Sequence, residues 1–157
     1  MIKEIHIYDM DGTIVDSSHR YRINPETGKI DLQYWLDNCT PDMIAKDSLL
    51  PLADQYKKHC ANPEIYVIIA TARVIEAADY NFIVQNLGLP NKIVSRDGRN
   101  DTRKGAHMKI AGLRFLKNLK QFKNAACTFY EDNKDYLYPV AKFLNARAVY
   151  VPSNQGF

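Results

Sequence analysis

The residues 5–17, IHIYDMDGTIVDS, carry an apolar run that ends abruptly on Asp9, with Asp11 two positions later and Gly12 and Thr13 behind it. Side chains two apart on an extended chain point the same way, so these two carboxylates repel unless a cation or a proton sits with them. Two further apolar runs also end on polar groups. YVIIATAR ends on Thr71 and Arg73, and TFYEDNKD runs into Glu131 and Asp132, with Asp135 close behind. Oxygen-only ligands of this kind favour Mg²⁺ over zinc. Carboxylates, a hydroxyl, lysines and Mg²⁺ suit phosphoryl transfer, which is mostly positioning and charge stabilisation. One aspartate can attack phosphorus and form an aspartyl-phosphate. The other can protonate the leaving oxygen and later activate water. Spacing does not assign these two roles.

The groups must be gathered by the elements that carry them. Five short apolar runs, 5–8, 65–70, 93–95, 128–130 and 148–151, are rich in Ile, Val and Tyr, with little polar alternation. Such runs suit strands covered on both faces, as in a parallel sheet. Helical patterns over 74–87, 104–120 and 135–144 lie between them, the first closed by Gly88 and Pro90. This alternation predicts a doubly wound α/β domain with five core strands. In that architecture ligands bind at the carboxyl ends of the strands, where Asp9, Thr71 and Asp132 all fall. Residues 14–63 are too long for one crossover. They read as an insert holding a hairpin around residues 24–28 and short helices over 32–38, 41–48 and 52–60. One domain spanning 1–157 is the expected organisation.

Composition narrows the classes. Cys39, Cys60 and Cys127 are odd in number and lack any Cys-x-x-Cys, which argues against a disulfide frame or a zinc site. His6, His19, His59 and His107 lack ligand-like spacing. An apolar run begins almost at Met1, and no stretch approaches the ~20 residues needed to span a bilayer, so a soluble cytoplasmic protein is expected. The net charge of +3 is uneven: residues 92–123 hold ten Lys or Arg against two Asp, and the rest is acidic. A basic segment of this kind is either a solvated helix face or a surface that meets phosphate. Trp35 with Tyr34 either packs beneath the insert or stacks on a base.

Asp9-Met10-Asp11-Gly12-Thr13 matches the DxDGT signature of the haloacid dehalogenase (HAD) superfamily, and it follows an N-terminal apolar run as that signature does. Thr71, a lysine in a late helix and the pair Glu131-Asp132 continue the superfamily pattern in order. The resemblance implies a HAD-like, Rossmann-like fold. It implies Asp9 as nucleophile, Asp11 as general acid/base and Thr71 as a phosphoryl ligand. Mg²⁺ would sit on Asp9, the backbone carbonyl of Asp11 and Asp132, with Glu131 and Asp135 behind them.

The chain also resembles the 3′-phosphatase domain of phage polynucleotide kinase. Arg20 stands eleven residues after Asp9, Thr71-Ala72-Arg73 stands at that family's second motif, and Asp101-Thr102-Arg103-Lys104 is followed by Lys109. Gly105 departs from that pattern, which has an aspartate there. Helical spacing leaves both Lys104 and Lys109 as candidates for the motif lysine, and the family spacing favours Lys109. The resemblance implies that Gly12, Thr13, Arg20, Ala72, Arg73, Arg103 and Lys104 face the substrate.

An insert this short resembles a minimal flap, which leaves the site open to a large substrate. Together with the basic segment it points to a polynucleotide 3′-phosphate. Arg96, Arg99, Lys117 and Lys120 would then touch more distant phosphates. A nucleotidase acting on free 5′- or 3′-(deoxy)nucleotides is the closest alternative, and a non-catalytic binding module on the same scaffold is the alternative of another class.

Overall fold

The computed structural model describes residues 1–152. In chain order the strands are β1 (Glu4–Tyr8), β2 (Val15–Asp16), β3 (Ser48–Leu49), β4 (Ile65–Val74), β5 (Lys92–Arg96), β6 (Ala126–Glu131) and β7 (Arg147–Tyr150). The helices are α1 (Leu32–Asp37), α2 (Pro41–Ile44), α3 (Ala53–Cys60), α4 (Ala77–Phe82), α5 (Gly105–Leu113), α6 (Phe115–Asn118) and α7 (Lys134–Leu144). Five strands form one parallel sheet in the order β5-β4-β1-β6-β7, and β2 pairs antiparallel with β3 in the insert.

The apolar strand runs place β1 at the centre because both of its faces are covered. Side chains alternate between faces along it. Tyr8 packs with Val67, Ile69, Phe82 and Ile83 on one side, while Ile5 and Ile7 pack with Ile68, Leu113, Phe129, Leu137 and Val140 on the other. Tyr8 is in register with Ile69 of β4 and Tyr130 of β6. The chain positions that follow therefore emerge together, and the Asp9 amide donates to the Tyr130 carbonyl at 3.0 Å. The insert does not stand apart from this core: Ile14, Val15, Ile44, Ala53 and Tyr56 are buried in the same cluster as Tyr8 and Met10.

Several boundaries differ from those expected. The strand expected over 65–70 continues to Val74, with a register shift against β5 between Ala70 and Val74. The Arg96 side chain supplies part of the reason: its Nε donates to the Ala72 carbonyl at 2.8 Å, holding the extension where ladder pairing lapses. The helix expected from 74 therefore starts at Ala77, where Glu76 and Asp79 cap each other, and it ends in a π turn over Ile83–Leu87. The helix expected over 104–120 begins at Gly105 and breaks at Arg114 into α5 and α6. The helix expected over 41–48 stops at Ile44, and its remainder turns into β3. The hairpin around residues 24–28 consists of a single bridge between Ile23 and Ile30, turned by Gly28 at φ 68°. Among the described residues, no helix is long and apolar enough to cross a membrane.

Close packing of α5 on β5 depends on a missing side chain. A Cβ at Gly112 would overlap Cγ1 of Val94, a branched side chain buried in the sheet. Gly112→Ala should destabilise the fold by about 1–3 kcal/mol through overpacking. Thermal unfolding would show this as a fall of several degrees in Tm, whereas an unchanged Tm would contradict the packing of this helix.

Candidate active site

The loop after β1 is shaped by one carbonyl. Met10 O accepts the amides of Thr13, Ile14 and Val15 at 3.2, 3.0 and 3.0 Å, which folds the chain back on itself. Gly12 permits the turn at φ 80°, a value that side-chain-bearing residues rarely adopt. The loop returns the Thr13 hydroxyl to Asp9, donating to Oδ2 at 3.1 Å. From the opposite side, Lys109 of α5 donates through Nζ to Asp9 Oδ1 at 2.9 Å and to Glu131 Oε1 at 2.6 Å. Lys109 is fully enclosed, with the ring of Tyr136 5.1 Å away and that of Phe129 5.8 Å away. The second oxygen of Glu131 accepts the amides of Asp132 and Asn133, which pins the turn out of β6.

Carboxylate oxygens of Asp9, Glu131 and Asp132 lie within 4.8 Å of one another, all three residues buried. One lysine is a small positive complement for three such groups. Burial alone would lower the Lys109 affinity for its proton, but the charges of Asp9 and Glu131 outweigh it and raise the pKa. Burial and the charge of Asp9 push the Glu131 carboxyl well above its ordinary range, against the pull of Lys109. The Lys109 shift reports the negative charge around its ammonium, and the Glu131 shift, led by burial, reports the cost of keeping that carboxyl charged. A divalent cation with oxygen preference fits that donor set.

A second cluster forms around Asp11. Arg73 at the end of β4 grips it in a fork, Nε to Oδ2 at 2.8 Å and Nη2 to Oδ1 at 2.6 Å, and the Ser17 hydroxyl adds 2.7 Å to Oδ1. Arg73 also donates from Nη2 to Asp47 at 2.9 Å and from Nη1 to Asp79 at 3.0 Å. Burial pushes the Asp11 carboxyl up, but Arg73, Ser17 and the charge of Arg20 together hold it below the usual carboxylate range. These partners favour the ionised form of Asp11, and its carboxylate stands apart from the group of Asp9, Glu131 and Asp132.

Several residues expected at the site are elsewhere. Arg20 is enclosed, with Nε and Nη2 on the two oxygens of Asp47 at 2.9 and 3.0 Å and its guanidinium 4.2 Å from the Trp35 ring. Its charge is consumed by Asp47, so it is not presented to a substrate. Arg103 is exposed and forks onto Asp101, and Lys104 is exposed just before the first turn of α5, because the helix begins one residue later than expected. Asp135 is exposed in the first turn of α7, because the Asn133 cap directs that turn outward. Thr71 is buried within β4, where pairing with β5 lapses, its hydroxyl accepting the Arg73 amide at 3.1 Å, and Ala72 offers its carbonyl to Arg96. The basic segment is also partly self-engaged. Arg96 donates to the carbonyls of Asp101 and Arg103, Arg99 to Glu76 and Cys39, and Lys117 to Phe143. Trp35 packs beneath Arg20 instead of standing clear as a stacking platform.

Asp47, Asp79, Ser17 and Tyr136 escaped the sequence reading. Asp79 had a faint signal as an acidic residue in a helix first turn. Asp47 had none, since it lies in a polar stretch between α2 and β3.

A family model described as "Bacteriophage T5 5'-deoxynucleotidase" matches residues 1–110. The 5′-deoxynucleotidase of Escherichia phage T5 is 38% identical over 87 residues, a stretch covering 52% of this chain and 34% of that protein. The chain thus spans about a third of the relative's length. Among solved structures, a chain of the Pnkp1/Rnl/Hen1 complex superimposes with a TM-score of 0.62 at 19% identity, covering 96% of this chain and 45% of that one. A haloacid dehalogenase-like hydrolase from Streptococcus pneumoniae superimposes with a TM-score of 0.58 at 13% identity, covering 90% of this chain and 81% of that one. These likenesses establish the HAD-like, doubly wound α/β fold that Asp9-Met10-Asp11-Gly12-Thr13 implied.

Lys109 offers a direct check of the electrostatics. Lys109→Met leaves Asp9 and Glu131 buried without their cation, which should cost about 3–5 kcal/mol of stability. The sign with pH follows from Glu131. Its proton affinity is higher folded than unfolded, so low pH favours the folded state and stability falls as pH rises through the raised value. Urea unfolding of Lys109→Met should therefore show a larger deficit at pH 8 than at pH 5. An equal deficit at both would contradict a carboxylate-driven loss.

Proposed function

The chain belongs to the bacteriophage T5 5′-deoxynucleotidase family, and from that premise we propose that it is a Mg²⁺-dependent phosphomonoesterase acting on deoxynucleoside 5′-monophosphates through an aspartyl-phosphate. One observation carries the chemistry: Asp9 is aligned by Lys109 and Thr13 at the rim of a buried group of carboxylates that draws positive charge. Asp9, Asp132 and the backbone carbonyl of Asp11 would hold Mg²⁺, which supplies positive charge for the incoming phosphate.

In the first step an Asp9 carboxylate oxygen attacks phosphorus. The new bond is Asp9 O–P, the broken one is P–O5′, and the departing oxygen takes a proton from Asp11. Lys109 and the Thr71 hydroxyl hold the phosphoryl oxygens as charge shifts onto them. In the second step Asp11 removes a proton from water, the water oxygen bonds to phosphorus, and the Asp9 O–P bond breaks. Inorganic phosphate leaves and Asp9 is restored. Because Arg73 favours the ionised form of Asp11, Asp11 takes up a proton, from solvent or from the monoanion form of the substrate phosphate, before the first step, while Arg73 keeps its contact to the oxygen left unprotonated.

The size of the substrate is supported by a recess of about 380 Å³ beside Gly12 and Thr13, walled by Leu50, Leu52 and Val151 among others. An apolar volume of that order suits a nucleobase with its sugar. A polynucleotide 3′-phosphate is the second reading. It is favoured by the Asp101-Thr102-Arg103-Lys104 spacing to Lys109, and weakened by the internal engagement of Arg96, Arg99 and Lys117.

The test is phosphate release with Mg²⁺ from deoxynucleoside 5′-monophosphates, their 3′ isomers and 3′-phosphorylated oligonucleotides. The 5′-monophosphates should turn over fastest, and a faster 3′-phosphorylated oligonucleotide would move the assignment to the second reading. Chelation should abolish turnover and added Mg²⁺ should restore it. Asp9→Asn should retain less than about 1% of wild-type activity, since it removes the attacking oxygen. Turnover that survives chelation would remove the metal from the mechanism.

A further inference from the structure

We propose that Asp47 is a positioning residue for Asp11, acting through Arg73, so that the insert and the proton-transfer group move as one unit. This rests on the phosphomonoesterase reading above. Asp47 comes from the turn between α2 and β3, 36 positions from Asp11 in the chain, yet one guanidinium joins them.

The geometry is that of a brace. Arg73 presents a planar set of N–H donors that cannot bend independently. Two directions of that plane are fixed from behind, Nη2 on Asp47 and Nη1 on Asp79, and the remaining edge meets Asp11 as a fork. Asp47 is itself held in place. Arg20 forks onto both of its oxygens, and His19 Nε2 lies 2.8 Å from Oδ1. Trp35 closes the cluster, 4.2 Å from the Arg20 guanidinium and 5.9 Å from that of Arg73. Arg20, Asp47 and Arg73 are all buried.

The elements involved explain what the brace can do. Arg20, Trp35 and Asp47 belong to the insert, whereas Arg73 and Asp79 belong to β4 and α4 of the sheet layer. Asp47 is therefore the joint through which a shift of the insert reaches the carboxylate that serves the leaving group. Without it the Arg73 plane keeps Asp79 alone behind it and can pivot, carrying Asp11 out of line with the departing oxygen.

Leaving-group chemistry separates this role from a merely structural one. A 5′-alkoxide departs only with a proton from Asp11, whereas 4-nitrophenolate is a stable anion and departs with little help. The measured quantity is kcat/KM, which reports only steps up to the departure of the alcohol and ignores the later attack of water. Asp47→Asn should lower kcat/KM for a deoxynucleoside 5′-monophosphate by about 10-fold to 100-fold. For 4-nitrophenyl phosphate the fall should stay within about 3-fold. Arg20→Gln combined with Asp47→Asn removes one buried charge of each sign and keeps the cluster balanced for folding. It should show the same split.

Wild-type enzyme is assayed first on both esters, and inactivity on both would remove the phosphomonoesterase reading itself. With an active wild type and folded variants, an equal fall on the two esters would make Asp47 structural and overturn the proposal alone. No fall on either would overturn it as well. Failure of both variants to fold would also count against it, because Asp47 would then be a determinant of the fold. Asp47→Glu, which keeps the charge, should recover part of the deoxynucleotide activity.

Discussion

Buried carboxylates crowded at one end of a parallel sheet are unstable unless positive charge is brought to them, and this constraint organises the molecule. Asp9, Asp11, Glu131 and Asp132 all emerge near the same edge because β1 lies between β4 and β6 in register. Desolvation of each would cost several kcal/mol if it remained charged without a partner. The chain answers with two buried cations, Lys109 from α5 and Arg73 from β4. Each contacts more than one carboxylate, and together they divide the edge into an Asp9 half and an Asp11 half.

The two halves differ in their electrostatics. Lys109 holds Asp9 and Glu131 close to one another, and burial with the charge of Asp9 raises the Glu131 carboxyl. Arg73 instead compensates Asp11 and keeps it ionised. The difference between the halves comes from environment, since both acids are aspartates two positions apart in one loop.

The insert is bound to the sheet through both its apolar and its charged residues. Its apolar residues Ile44, Ala53 and Tyr56 share the core beneath β1, and its charged residues Arg20 and Asp47 reach Arg73. The same segment therefore seats itself on the sheet and borders the site. The basic segment beyond β5 contributes less to an open surface than its charge suggests. Arg96 and Arg99 spend their donors on tying the 97–104 loop and the α4 cap to the end of β4.

The sequence by itself determined the sheet and which of its strands lead into acidic groups. Uninterrupted Ile/Val/Tyr runs demand burial on both faces, which in a strand–helix alternation leaves few options besides a parallel sheet. Asp9 and Glu131-Asp132 were legible as acidic groups at one sheet edge because each follows such a run directly, whereas Thr71 lies inside β4, which continues to Val74. Helical spacing left Lys104 and Lys109 open, and the fold buries Lys109 against Asp9 while leaving Lys104 exposed. What only the tertiary structure decided are the long-range ion pairs. Arg20 and Arg73 look alike in sequence, two arginines near a phosphate-type motif, yet Arg20 pairs with Asp47 while Arg73 joins Asp11, Asp47 and Asp79. Asp135 sits close to the acidic pair in sequence but is carried outward by the α7 cap, while Asp47, remote in sequence, is carried inward. Strand and helix patterns record whether a position faces a core, through local periodicity. The partner of a buried charge is set by which segments the folded chain brings within 3 Å of one another, and no local period encodes that.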